Sequence, residues 1–164
     1  LLKDAFYDAL HAAVESSSMA PTHPSHQNFK KATQLVLSMQ FQDTTARSAL
    51  ANLVYLQTML LLAIASINNA SRGRGGTSRI WLSTAVFLAY EIKLHKRSFQ
   101  RQPLGDDLDS EENLLRKVWW SLVILDRWHS SNISTPPLIP DESLVVHPED
   151  QFLLGDSIYH LCRE

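Results

Sequence analysis

Asp126, Arg127 and His129 stand together near the end of the run RKVWWSLVILDRWHS (116–130). A carboxylate, a guanidinium and an imidazole are the parts of an acid–base site, and His95 would add a second imidazole if the fold gathered all four around a cavity. The seven histidines also raise the question of metal. His23 and His26 are three apart, but Pro21 and Pro24 break the segment, and no other set has the His-Glu-x-x-His spacing that places two ligands on one helical face. The acidic run DDLDSEE (106–112) lacks the spacing and the glycine of a calcium loop. It reads as a solvated connection whose charge favours the start of the next helix. SRGRGG (71–76) lacks the Lys-Ser/Thr of a phosphate-binding loop and follows a helix, not a strand. Cys162 has no activating neighbour and reads as a structural thiol. No serine lies in Gly-x-Ser-x-Gly. The sequence therefore assigns no catalytic residue and no metal ligand, and the chain reads as a non-enzyme.

Helices must position these residues, because apolar residues recur at helical spacing and strand alternation is missing. Leu2, Phe6, Ala9 and Ala13 share a face of a first helix. SSSMAPTHPSHQ (16–27) breaks it, and Phe29, Ala32, Val36 and Met39 stripe a second. FQDTTARS (41–48) connects onward, with Asp43 or Thr44 as N-cap. Leu53 to Ile67 is almost wholly apolar but shorter than the roughly 20 residues a membrane span needs, so it reads as a buried helix. Trp81, Ala85, Leu88 and Ile92 mark a fourth helix. A fifth opens on a capping box of Asp109 and Glu112, pairs Glu112 with Arg116, and is apolar all round from Val118 to Leu125 except Ser121. Trp119 and Trp120 point about 100° apart and must wedge between different neighbours. Arg127 is placed to stack on an indole or to bind carbonyls, and Asp126 to bind the backbone of the segment that follows. STPPLIPDES (134–143) ends the fifth helix, and a last one carries Leu154, Ile158, Leu161 and Cys162. The expected fold is all-α: about six or seven antiparallel helices around a buried apolar central helix, forming one domain over 1–164.

Composition agrees. Of 164 residues, 45% are hydrophobic and 20% charged, which suits one packed domain and excludes wholesale disorder. Fifteen basic against seventeen acidic residues leave a net charge of −2, with no electrostatic footprint for gripping nucleic acid. One cysteine excludes a disulfide framework or a cysteine-based zinc cluster within this chain. The opening LLKDAFYDAL, without Met or a basic leader, reads as part of a longer protein.

Arg116-Lys117, Trp119-Trp120, Asp126-Arg127 and Ser130, followed by Pro136-Pro137-Leu138-Ile139 and Asp141, resemble the signature of the fungal-specific transcription factor domain. This is the middle homology region of fungal zinc-cluster regulators. Phe29 with Ala32, and Trp81, Ala85 and Leu94-His95-Lys96, resemble its upstream motifs, so the likeness is strongest over 29–145. Two departures stand out. Ser134-Thr135 replace a Gly-Arg pair, which argues against a turn of positive φ. Lys93 replaces a glycine before Leu94, which argues that the helix runs on. The resemblance implies a regulatory domain of a nuclear transcription factor, answering a small-molecule effector or a transcriptional co-regulator. DNA binding, its zinc and homodimerisation would belong to a separate six-cysteine segment and coiled coil of the parent protein. This chain would hold no cofactor and touch no membrane. A helical-repeat interaction scaffold without a transcriptional role is the alternative.

Overall fold

The computed structural model describes residues 1–18, 25–39, 47–70, 77–97, 111–146 and 150–155. Helices α1 (Leu2–Ser17), α2 (Ser25–Met39), α3 (Ala49–Ala70), α4 (Ser78–Glu91), α5 (Leu94–Arg97), α6 (Glu111–Asn132) and α7 (Asp150–Leu154) account for most of them. A 3-10 turn spans Asp141–Ser143, and no strand occurs among the described residues. The fold is all-α, as the periodicity predicts. The chain divides into two compact units, Leu1–Leu88 and Ala89–Glu164.

In the first unit α1, α2 and α3 pack on one another. The buried side of α1 is made of Ala5, Ala9, Ala12, Ala13 and Ser16. Ala12 and Ala13 meet Ala65 of α3, with Phe29 of α2 packed against them. Small side chains let helix axes approach closely, and polar ties then fit between the backbones. Asn68 donates to Ser16 Oγ at 3.1 Å, and Asn28 to Glu15 at 3.2 Å. α3 is longer than the run Leu53–Ile67 predicts, and it is long and apolar enough to cross a membrane by length and composition. Its surroundings are protein instead: Leu53, Leu56, Met59, Leu62, Ala63 and Ala65 are almost completely buried. The polar residues that interrupt the apolar run are accommodated locally. Thr58 Oγ1 donates to the Val54 carbonyl at 2.7 Å, and Ser66 Oγ accepts from the Thr77 N–H at 3.0 Å. The predicted caps Asp43 and Thr44 lie outside the described residues, whereas Ser48 Oγ accepts from the Ala51 N–H at 3.2 Å and caps α3.

In the second unit α6 packs on α5 and α7. Asp109, the expected cap of α6, is outside the described residues. α7 stops at Leu154, where Gly155 takes φ +70° and its N–H reaches the Gln151 carbonyl at 2.8 Å. Glycine adopts that left-handed geometry without a Cβ penalty. Ile158, Leu161 and Cys162 lie outside the described residues.

Both departures from the family pattern are corrected by the backbone. Lys93 sits at φ +56° and Ser134 at φ +52°, so each keeps the left-handed turn that a glycine would favour. α4 therefore ends at Glu91 instead of running on past Lys93. The Lys93 N–H bonds the Tyr90 carbonyl at 3.0 Å, holding the turn from which α5 starts.

Candidate functional site

The signature residues of the second unit form a latch between α6 and the segment that follows it. α6 ends in a turn where the Ser134 N–H bonds the Ser131 carbonyl and the Thr135 N–H bonds the Ser130 carbonyl. This pair of reversed bonds satisfies the last helix carbonyls and requires the left-handed residue at Ser134. Pro136 and Pro137 follow and carry no N–H, so the helix cannot resume. The Pro136 carbonyl accepts from Ser130 Oγ at 3.4 Å. The next two donors in the chain, the Leu138 and Ile139 N–H groups, both reach Asp126. Leu138 lies 2.9 and 3.0 Å from its two oxygens and Ile139 2.9 Å from one. Asp126 and Ile139 are both wholly buried. A buried carboxylate is tolerated when its oxygens accept hydrogen bonds in this way.

Two arginines extend the latch. Arg116 and Asp150 form a buried ion pair at 2.5 Å, joining α6 to the first residue of α7. The expected Glu112–Arg116 pair is thus not how Arg116 is used: a buried partner outcompetes a solvated one on the same helix. Arg127 pairs with Asp141 at 2.6 Å in the 3-10 turn, not with an indole or carbonyl. Asp141 is 88% exposed, so this pair contributes little to stability.

The tryptophans form the core of α6. Trp119 and Trp120 are almost completely buried, and neither indole N–H has an acceptor among the described residues. Trp119 meets Tyr90 edge-on at 6.2 Å, and the His95 ring lies 4.6 Å from Tyr90 and 6.3 Å from Trp119. The Tyr90 hydroxyl donates to Ser143 Oγ at 3.0 Å, tying this aromatic group to the 3-10 turn. Burial, then the Lys96 charge, hold the His95 imidazole below the usual histidine range.

The structure does not assemble an acid–base site from Asp126, Arg127, His129 and His95. His95 packs at the level of Trp119, two turns and about 10 Å along α6 from Asp126. Asp126 faces backbone amides and Arg127 faces Asp141. Among the described residues no three His, Cys, Asp or Glu side chains group to hold a metal ion. Sequence reasoning placed Asp126 correctly and missed Asp150, which lies 34 residues from Arg116 with no spacing rule to link them.

A long apolar helix latched by a buried carboxylate to a Pro-Pro segment defines a helical domain whose signature is architectural. Residues 9–157 match the fungal specific transcription factor domain. The chain belongs to this family. It is also 36% identical, over 148 residues, to a transcriptional regulatory protein, C320.03, of Schizosaccharomyces pombe. That match covers 86% of this chain and 16% of the relative, so the chain spans a small part of that protein's length. No solved structure matches the chain significantly. The family and the relative both point to transcription regulation.

Proposed function

We propose that the chain is the regulatory, middle homology region of a fungal zinc-cluster transcription factor acting in the nucleus. It would control transcription by binding a small-molecule effector or a transcriptional co-regulator. Contact with DNA, and the zinc that supports it, would belong to a separate six-cysteine segment of the parent protein, which would act as a homodimer. The near-neutral net charge of this chain fits that division of labour, since binding to nucleic acid backbones is driven by an excess of positive charge. The observation that carries the reading is the family match over 9–157, with Arg116, Trp119, Trp120, Asp126, Arg127, Ser130, Pro136 and Pro137 joined in one latched unit.

A reporter assay tests this. The chain is inserted between a heterologous DNA-binding domain and an activation domain in a fungal host. Its presence is expected to change reporter output, and Asp126→Ala, which opens the latch, to return output toward that of the fusion lacking the chain. Identical output from all three fusions at equal protein level overturns the proposal.

A further inference from the structure

A cavity of about 290 Å³ lies within the first unit, between α2, α3 and α4. Val36, Tyr55, Met59 and Trp81 form its walls, and the exposed side chains of Leu37 and Ile80 stand at its mouth. Three of its polar wall groups are already committed to protein. The Tyr55 hydroxyl donates to the Val36 carbonyl at 3.1 Å, Thr77 Oγ1 shares a hydrogen bond with Ser66 Oγ at 3.1 Å, and Thr84 Oγ1 donates to the Ile80 carbonyl at 2.8 Å. Thr33 Oγ1 and Trp81 Nε1 make no hydrogen bond among the described residues, but both atoms are buried and expose essentially no surface to a guest. Arg47 stacks on the Tyr55 ring, 4.3 Å from its centre, and hydrogen-bonds the Met39 carbonyl, so it braces a wall and does not line the cavity. An entering molecule therefore meets hydrocarbon, aromatic faces and a thioether. A charged or strongly polar guest would lose its hydration and gain no partner.

The size narrows the guest further. An apolar cavity of roughly 150 Å³ takes a single benzene, so this one suits about two rings or a branched hydrocarbon of similar bulk. We propose that the cavity is a binding site for a compact, uncharged, apolar small molecule. The proposal deepens the regulatory reading and rests on it for biological meaning, because the guest would hold α4 against α2 and α3. Binding itself rests on the geometry alone.

The test is a titration of the 164-residue chain with naphthalene, followed by the methyl resonance of Met59. A saturable shift of that resonance is expected. Thr84→Phe, which fills the cavity from its half-buried edge, is expected to weaken binding about tenfold or more. Leu37→Trp closes the mouth from α2 and serves if Thr84→Phe does not fold. Phe87→Ser removes an exposed ring outside the cavity and is expected to leave binding unchanged. Naphthoate, the charged analogue, is expected to bind at least about tenfold more weakly. A missing or non-saturating shift overturns the proposal, as does binding that survives both plugging variants, falls with Phe87→Ser, or is equally tight for naphthoate. Failure here with a reporter response leaves the regulatory reading intact. Saturable binding without any reporter response refutes that reading and not the cavity.

Discussion

Asp126 is a wholly buried carboxylate that accepts from two backbone amides. Its oxygens satisfy the first two amides after Pro136-Pro137. Asp126→Ala leaves both N–H groups without an acceptor, and a buried unmet donor costs about 1–3 kcal/mol. Urea denaturation is expected to show a loss of about 2–6 kcal/mol for this variant. The tryptophans behave differently. Trp119→Ala is expected to cost about 3–5 kcal/mol. Trp119→Phe should cost clearly less, because the indole N–H it discards makes no hydrogen bond. The two left-handed residues should respond to glycine in the opposite sense. A side chain at positive φ costs about 1–2 kcal/mol, of which glycine's extra unfolded freedom returns about 0.4–1 kcal/mol. Lys93→Gly and Ser134→Gly are each expected to raise stability by about 0.5–1 kcal/mol in the same assay.

Between helices, the buried Arg116–Asp150 pair sets how α7 docks on α6. Removing one member of such a pair strands a charge and costs about 3–5 kcal/mol, whereas replacing both with apolar residues costs far less. Arg116→Leu alone should therefore destabilise more than Arg116→Met with Asp150→Leu, as read by thermal melting. The aromatic group of Tyr90, His95 and Trp119 joins the end of α4, α5 and α6 and carries a pH dependence. Burial and Lys96 depress the folded pKa of His95, so protonation favours the unfolded chain. Its contribution is complete above the unfolded value of 6.5 and is lost as pH falls through the lower folded value. The urea midpoint should drop on acidification from 6.5 toward that lower value, and less steeply in His95→Phe. Helical spacing made α6 and its buried face legible in the sequence, and Asp126 at the polar end of an apolar run was readable as a backbone acceptor. The Arg116 partner was not, because tertiary pairing across 34 residues leaves no local pattern. The turns at Lys93 and Ser134 were misread for a physical reason. A Cβ makes positive φ costly, but hydrogen bonds at each turn outweigh that cost.

Taken whole, the chain raises one question that composition alone answers poorly. α3 is apolar enough for a bilayer, yet α1 and α2 pack on it and Leu53, Leu56 and Leu62 reach almost no solvent. The chain should fold with full helical circular dichroism in detergent-free buffer, and Leu62→Asp should abolish its cooperative melting. A requirement for detergent would contradict this packing. Periodicity revealed the helical class and the second and third helices, while the ends of α3 were hidden by Asn52 and Asn68. Such residues look like boundaries in a sequence, but Asn52 is buried within α3 and Asn68 ties that helix to Ser16 of α1. The latch also bears on the order in which the molecule forms. Asp126 and its amides are only 12 and 13 residues apart, and closing so short a loop sacrifices little chain entropy. Once α6 has nucleated, the Pro-Pro segment can fasten to it before Arg116 finds the distant Asp150. Substitutions at Asp126 should therefore act chiefly on the folding rate, and substitutions at Asp150 chiefly on the unfolding rate. Rates that divide in this way would make the signature an early fastening point in folding as well as a brace in the finished protein.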